Sequence, residues 1–459
     1  MNRIARRALA VLLLAVVLVG GMLFFLWEYG TQAREWVMFS GSPHVYNGRK
    51  LAQGMILDRD GALLLDLSGD KAYAPDALVR EAMLHWVGDR QGNIRTAAVS
   101  HYQEEMLGYD PVNGLYAYGG EVGRMRLTLS SAVQLAALDA MDGRRGTVGV
   151  YNYRTGEILC AVTTPTYDPD NVPDIAGDTT GAYQGAYVNR FLQAAYIPGS
   201  IFKVVTLAAA IETQPDLQQR SFPCTGVYQI GTGDVTCEAP HGEQDIWEAL
   251  AHSCNCAFAQ VVELLGKDTL TRYVEQFGVT DSIEFDGITT AQGHFDISQS
   301  YGELVAWSGI GQHTDQINPC TYMTFMGSIA GGGAGVTPHV VERISVGKTT
   351  TYRAATQRRD RIMSQATAEL VKEMMRNNVV NGYGVERFPE GMTVCAKSGT
   401  AQVGGGKKPN STLAGFVDDE KYPYAFIVVV ENGGYGGEIC VPIITQVLNA
   451  CKAMADGQK

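Results

Sequence analysis

The chain has 459 residues, of which 46% are hydrophobic and 18% are charged. This length exceeds one ordinary hydrophobic core and predicts two or three domains. The formal net charge of -12 argues against a nucleic-acid partner, because nucleic acid is bound through clustered positive charge.

The N-terminus carries three arginines in its first seven residues, followed by an uncharged apolar run over residues 8–27. A run of about 20 apolar residues can cross a bilayer as a helix, and a cationic flank stays in the cytoplasm. We therefore expect residues 1–28 to form a cytoplasmic tail and a single-pass membrane anchor, with the rest of the chain outside the cytoplasm. A cleaved signal peptide is the alternative, but its apolar segment is shorter and ends in small residues. This run ends in bulky side chains.

The next segments predict a small domain with no catalytic pattern. Residues 54–64 read as two apolar strands joined by a turn at Asp60-Gly61. The interval up to residue 126 is polar with short apolar groups, which is typical of a small α+β unit, so we assign residues 29–126 to it.

A second domain is expected over residues 127–459. Residues 127–138 predict the end of a strand, a serine cap and an amphipathic helix. Residues 146–153 and 157–163 then predict a β-hairpin.

The stretch after Pro198-Gly199 predicts a helix that starts beside Ser200. Backbone N–H groups in a first helical turn have no partner inside the helix and stabilise negative charge on an oxygen there. Lys203 lies three residues further on the same face, among apolar neighbours whose burial lowers the pKa of a lysine. The pair predicts a nucleophile and its general base. The alternative is an exposed lysine on an ordinary helix.

The nine cysteines are an odd number, so at least one thiol is free or pairs between molecules. We expect a disulfide between Cys224 and Cys237, which flank a predicted hairpin at residues 227–235. A zinc site is conceivable, but the spacings match no C-x-x-C pattern, and we expect no metal. Its possible ligands are Cys224, Cys237, His241, His252, Cys254 and Cys256.

Ser253 and Asn255 are predicted to lie in a loop between helices at residues 245–252 and 257–265. Residues two apart diverge on a regular helix, whereas a loop can direct both side chains into a cleft. Asn255 capping the second helix is the alternative.

Lys397-Ser398-Gly399-Thr400 lies on a strand predicted at residues 392–403. The chain thus contains S-x-x-K, S-x-N and K-[ST]-G in that order, which is the signature of penicillin-binding proteins and serine β-lactamases. On these motifs the chain resembles a class B penicillin-binding protein, a monofunctional peptidoglycan D,D-transpeptidase.

The resemblance extends to other segments. Residues 54–61 are similar to the R-G-x-I-x-D-R-x-G element of the family's N-terminal pedestal domain, with Gln53 in place of its first arginine. Gly309-Ile310-Gly311-Gln312 is similar to its G-Q segment. The implied fold is α+β: a transmembrane helix, a small α+β pedestal, and a transpeptidase domain with a five-stranded antiparallel sheet flanked by helices.

The resemblance also implies roles in acyl transfer from a peptide ending in D-Ala-D-Ala. Ser200 attacks the penultimate carbonyl and Lys203 accepts its proton. Ser253 relays a proton to the leaving amine, and Asn255 hydrogen-bonds the substrate amide and the lysine.

The third motif is expected to hold the substrate. Lys397 adds positive charge beside the relay serine, Ser398 and Thr400 bind the terminal carboxylate, and Gly399 lets the peptide lie against the strand edge as an added strand.

The expected partners are stem peptides, β-lactams and a multi-pass membrane glycan polymerase, and no cofactor is expected. A β-lactam sensor or β-lactamase shares the same motifs and is one alternative. A catalytically silent scaffold for the polymerase is another.

Overall fold

The structure is a computed structural model, and it describes residues 2–37, 46–47, 50–51, 54–67, 72–94, 97–110, 115–116 and 121–457. Gln53 lies outside the described residues. The helices are α1 (Asn2–Val37), α2 (Ala77–Val87), α3 (Ala97–His101), α4 (Gln103–Leu107), α5 (Ser131–Met141), α6 (Arg190–Gln193), α7 (Lys203–Thr213), α8 (Ile246–Ala251), α9 (Asn255–Leu265), α10 (Lys267–Phe277), α11 (Glu303–Ile310), α12 (Pro319–Ala330), α13 (Gln365–Asn378) and α14 (Gly436–Gly457).

The strands are β1 (Tyr46–Asn47), β2 (Lys50–Leu51), β3 (Met55–Leu57), β4 (Leu63–Asp66), β5 (Ala72–Tyr73), β6 (Tyr109–Asp110), β7 (Leu115–Tyr116), β8 (Gly123–Leu127), β9 (Gly146–Asn152), β10 (Ile158–Thr164), β11 (Val227–Ile230), β12 (Gly233–Thr236), β13 (Glu284–Phe285), β14 (Ile288–Thr289), β15 (Ala334–Val336), β16 (Val341–Val346), β17 (Thr349–Arg353), β18 (Arg358–Arg361), β19 (Val394–Ala401), β20 (Asn410–Val417) and β21 (Tyr424–Val430).

The larger part of the body is built on a five-stranded sheet of order β10-β9-β21-β20-β19, in which every neighbouring pair is antiparallel. Two of its strands precede α7 in the chain and three follow it, as the sequence predicts. β19 is an edge strand of this sheet. The expected α+β fold with a five-stranded antiparallel sheet is confirmed.

Helices cover both faces of this sheet, and its central strands are buried on both sides. Along β21, Phe426 and Val428 pack into the cluster formed with α5 and α14. The alternate residues Ile427 and Val429 pack into the cluster that contains α12. Successive side chains of a strand point to opposite faces, so a strand buried on both faces is apolar throughout and shows no alternation in its sequence.

A six-stranded sheet of order β17-β16-β8-β3-β4-β5 forms the other part of the body. The hairpin predicted at residues 54–64 is present as β3 and β4. β16 and β17 come from much later in the chain, and β16 pairs with β8. The domain boundary expected between residues 126 and 127 stays a prediction. Strands from before it (β3, β4 and β5) and from after it (β16 and β17) belong to this one sheet.

The N-terminal region is tied to the rest of the body by a bidentate ion pair. Arg80 on α2 donates two hydrogen bonds of 2.7 Å to the two carboxylate oxygens of Asp168, which follows β10. This pairing of a planar guanidinium with a carboxylate fixes orientation as well as distance.

Among the described residues, one helix is long and apolar enough to cross a membrane. It covers Arg3–Gln32 within α1, and the side chains of its apolar window are not buried by the rest of the protein. α1 therefore has the character of a membrane anchor.

Candidate active site

Ser200 lies in a 3₁₀ turn, Gly199–Phe202, that leads directly into α7. The prediction that it lies in the first turn is confirmed. Gly199 has φ +63°, a conformation that favours glycine, and its N–H donates a 2.8 Å hydrogen bond to the carbonyl of Gly311. A Cβ on Gly311 would lie 2.2 Å from the carbonyl oxygen of Gly199. The two glycines together fix the position of the Ser200 turn.

Lys203 is fully buried at the start of α7. Its Nζ donates a 2.7 Å hydrogen bond to Oδ1 of Asn255 and contacts Oγ of Ser253 at 3.3 Å. It also lies 5.5 Å from the ring centroid of Phe258. Burial lowers the pKa of Lys203 from its usual value to about 8, because the charged form loses its hydration. About a tenth of the amine is therefore neutral at pH 7, far more than for a lysine exposed to water.

Ser253 and Asn255 meet Lys203 from the junction of α8 and α9. Ser253 has φ +54°, which turns the chain between the helices. Asn255 is the first residue of α9 rather than a loop residue, and its amide nitrogen donates to the carbonyl of Thr236 at 2.9 Å. The N-cap of α9 is Cys254, whose sulfur accepts from a backbone N–H. Because a cysteine takes the cap, the Asn255 side chain is left to bind the lysine.

Lys397 approaches Ser253 from β19. Its side chain is buried, and its Nζ donates to Oγ of Ser253 at 2.9 Å and to the carbonyl of Ser398 at 2.8 Å. Burial lowers the pKa of Lys397 well below its usual range, and the neighbouring charge of Lys203 lowers it further. The hydroxyl of Ser253 thus lies between two buried amines.

Alternation along β19 separates the third motif into two faces. Ser398 and Thr400 are half-buried and line the cleft, whereas Lys397 and Gly399 are buried. A Cβ on Gly399 would lie 2.4 Å from Oγ1 of Thr412 and 2.9 Å from the carbonyl oxygen of Pro198. The absent side chain of Gly399 therefore lets β19 pack against the Ser200 turn.

Tyr383 is part of the site and was not predicted from the sequence. Its hydroxyl donates to Oγ of Ser398 at 2.9 Å and accepts from the backbone N–H of Ser398 at 2.7 Å. It lies at the end of a π-helical turn after α13, where no motif marks it. Gln312 was also not given a role, although it ends the G-Q segment. Its side-chain amide donates to the carbonyl of Thr400 at 3.2 Å.

These residues surround one cleft of about 740 Å³. Of the residues predicted for the site, Ser200, Ser253, Asn255, Ser398, Gly399 and Thr400 line it. Lys203 and Lys397 lie behind this lining and reach it through the Ser253 hydroxyl. The structure thus brings all eight predicted residues together at one cleft.

The cysteines do not form the predicted disulfide. All nine lie within residues 121–457, and all are free thiols. Cys224 and Cys237 instead converge with His241 and Cys254, and the four ligand atoms lie within 4.8 Å of one another. Each sulfur therefore has several neighbours, not one partner. Of the six possible zinc ligands named from the sequence, these four come together.

A profile of the penicillin-binding protein transpeptidase domain matches residues 146–449, more than half of the chain. The chain belongs to the penicillin-binding protein transpeptidase family. The match includes Ser200 and Lys203, Ser253 and Asn255, and the Lys397–Thr400 segment of β19.

Two named relatives each match about 70% of this chain. Stage V sporulation protein D of Bacillus subtilis is 27% identical over 348 residues, which cover 71% of this chain and 52% of that protein. Peptidoglycan D,D-transpeptidase PbpA of Mycolicibacterium smegmatis is 28% identical over 354 residues, covering 70% of this chain and 71% of that one. The chain thus matches about half the length of the first and somewhat over two thirds of the second.

Solved structures support the same fold for this penicillin-binding protein. The D,D-transpeptidase domain of a peptidoglycan glycosyltransferase from Eggerthella lenta superposes with a TM-score of 0.76, at 24% identity, over 88% of this chain and 98% of that one. Penicillin-binding protein A of M. tuberculosis, in its ceftriaxone acyl-enzyme complex, gives a TM-score of 0.76 at 23% identity, covering 87% and 98% of the two chains.

Proposed function

We propose that this protein is a peptidoglycan D,D-transpeptidase that cross-links stem peptides through an acyl-enzyme on Ser200. The observation that carries the proposal is the buried Lys203 amine, held by Asn255 and Ser253 one helical turn from the nucleophile. A lysine with a pKa of about 8 can accept the proton of a serine hydroxyl near neutral pH.

In the first half-reaction Ser200 Oγ attacks the carbonyl carbon of the penultimate D-alanine, and its proton passes to Lys203. The oxygen of the tetrahedral intermediate is bound by backbone N–H groups of Ser200 and Thr400. Each such donor contributes about 10²- to 10³-fold to the rate. The C–N bond then breaks, and Ser253 delivers a proton to the departing nitrogen of the terminal D-alanine. Lys203 restores the proton to Ser253.

The substrate lies along the free edge of β19. That strand pairs only with β20 in its sheet, so its other edge has no strand partner. Tyr383, Lys397 and Gln312 already bond the backbone groups of Ser398 and the Thr400 carbonyl on this edge, so an extended peptide pairs from the N–H of Thr400 onward. The hydroxyls of Ser398 and Thr400 face the cleft and bind the terminal carboxylate, and Lys397 supplies positive charge. The Tyr383 hydroxyl fixes the position of Ser398, because it accepts from the backbone N–H of Ser398 and donates to Oγ of Ser398.

In the second half-reaction an amine from a neighbouring stem peptide attacks the ester carbonyl of Ser200. The ester C–O bond breaks, and the proton lost by the amine returns to the serine oxygen through the same lysine. A new amide joins the two peptides.

We further propose that α1 is a retained, single-pass anchor with its N-terminus in the cytoplasm, and that the protein works beside a multi-pass glycan polymerase. The arginines before the apolar run support this orientation. External protease on intact protoplasts should remove the body of the protein. Full protection would contradict the orientation.

A fluorescent penicillin tests the catalytic proposal, because the β-lactam amide takes the place of the D-Ala-D-Ala bond. Detergent-solubilised full-length protein should be labelled covalently, and Ser200→Ala should not be. Lys203→Met should acylate several orders of magnitude more slowly. Label that maps by mass spectrometry to another residue would overturn the assignment of Ser200. Fast turnover of a chromogenic cephalosporin would point to a β-lactamase instead.

A further inference from the structure

Four side chains that can ligate a metal meet beside the active-site cleft. Cys224 precedes β11, Cys237 and His241 follow β12, and Cys254 caps α9. Cys224 and Cys254 are buried, and Cys237 and His241 are half-buried at the wall of the cleft. Their four ligand atoms all lie within 4.8 Å of one another.

Two distances in this cluster match those of a tetrahedral zinc site. Zn–S bonds of about 2.3 Å and Zn–N bonds of about 2.0–2.1 Å place two sulfurs about 3.8 Å apart, and a sulfur and a nitrogen about 3.5 Å apart. The Sγ atoms of Cys237 and Cys254 are 3.8 Å apart, and Sγ of Cys237 is 3.6 Å from Nδ1 of His241. A disulfide needs about 2.0 Å between sulfurs.

Backbone hydrogen bonds hold the segments that carry these ligands. The N–H of Cys224 donates to the carbonyl of Gly242 at 2.9 Å, and the N–H of His241 donates back to the carbonyl of Cys224 at 3.1 Å. The N–H of Cys237 donates to the carbonyl of Gly226 at 2.9 Å. The loop around the β11–β12 hairpin is therefore closed at its base before any ion binds.

The sulfur of Cys254 also accepts hydrogen bonds in the manner of a metal-bound thiolate. The side-chain amide of the buried Gln244 donates to it at 3.0 Å, and the N–H of Ala257 lies 3.4 Å away. Donors that point at a ligating atom fix its position and stabilise its charge.

We propose that Cys224, Cys237, His241 and Cys254 bind one Zn²⁺ as a closed, four-coordinate structural site. Three thiolates and one imidazole are a common ligand set for structural zinc, and a soft set of this kind selects against Mg²⁺ and Ca²⁺. Four protein ligands leave no open position, so the ion takes no part in acyl transfer.

The ion affects catalysis by holding the residues around Lys203 in place. Cys254 stands between Ser253 and Asn255, the two residues that contact Lys203. Thr236, which accepts from the Asn255 amide, is the neighbour of Cys237. The metal therefore fixes both partners of the hydrogen bond between Asn255 and Thr236, and Asn255 in turn holds Lys203.

Metal content of the full-length protein, purified in detergent, tests this site without reference to activity. We expect about one zinc per chain by elemental analysis, and thiolate-to-metal charge-transfer bands when Co²⁺ replaces it. Cys237→Ser and His241→Ala should lose the ion. Cys440→Ala, which removes a buried thiol from α14, should keep it. A metal-free wild type, or a disulfide between any two ligands in freshly purified protein, would overturn the proposal.

A second measurement tests the positioning role. The Cys224→Ser variant should show a lower Tm than wild type and at least a tenfold slower acylation by penicillin, with the label still on Ser200. Zinc stripped from wild type by a chelator should produce the same two changes, and added Zn²⁺ should reverse them. Loss of the ion with an unchanged acylation rate would refute the positioning role. Absence of labelling in zinc-loaded wild type would instead refute the transpeptidase proposal.

Discussion

The pH dependence of acylation tests the assigned base directly. Lys203 can take the proton of Ser200 only as a neutral amine, and burial lowers its pKa to about 8. The rate of acylation should therefore rise with pH and level off above the pKa. A lysine exposed to water would remain protonated to about pH 10 and would place the plateau there.

The size of the pH effect on acylation follows from the titration of Lys203. With a pKa of about 8, the neutral fraction of Lys203 is about one in eleven at pH 7 and about one in a hundred at pH 6. Acylation should fall about tenfold for each pH unit below the pKa. The carboxylate of a penicillin is ionised over this whole range, since carboxyl groups titrate near pH 3.5.

The assay is the second-order rate constant for labelling of full-length protein by a fluorescent penicillin, from about pH 5.5 to about pH 9.5. Circular dichroism at each pH controls for unfolding. The Lys203→Met variant should react slowly, and its rate should not rise with pH. A rate that is flat between pH 5.5 and pH 8, or a rise with pH that persists in Lys203→Met, would refute the assignment of the base.

Three further substitutions test the geometry around the nucleophile. Tyr383→Phe leaves the N–H of Ser398 without its acceptor, which costs about 1–3 kcal/mol, and should lower both the Tm and the acylation rate. Gly311→Ala places a Cβ 2.2 Å from the carbonyl oxygen of Gly199, so a calorimetric Tm below wild type and weaker labelling are expected. Thr400→Ala should slow acylation by about 1.5 to 3 kcal/mol, roughly 10- to 150-fold, and should also lower the Tm, because the N–H of Gly436 loses its acceptor. A wild-type acylation rate in any of the three variants would contradict the role given to that residue.

The motifs and the main elements were predictable because local signals mark them. Pro198-Gly199 ends one segment before the Ser200 turn, and Ser364 and Asn318 accept hydrogen bonds as the N-caps of α13 and α12. Strands of the five-stranded sheet are long apolar runs between turn residues. In each case the sequence within about ten residues carries the information.

Contacts between distant segments could not be predicted in this way. Tyr383 reaches Ser398 because the chain turns after α13, and no spacing marks that approach. The disulfide prediction was wrong because it considered Cys224 and Cys237 as a pair. Cys254 enters the same cluster from α9, and sequence spacing does not reveal a third thiol brought there by packing.

Both lysines of the site are buried, and among the described residues their hydrogen bonds go to neutral oxygens. Burial of an ammonium without a paired carboxylate is unfavourable by several kcal/mol, so stability alone does not account for this arrangement. The hydrogen bonds made by Ser253 give a functional reason for burying both lysines. A hydroxyl has one donor and two acceptor positions, and Lys203 and Lys397 both lie where they can donate to its oxygen. With both acceptor positions occupied, the remaining O–H is available to the cleft, where the departing amine needs a proton. This arrangement supports the proposed donor role of Ser253 and explains why two amines are buried beside one serine.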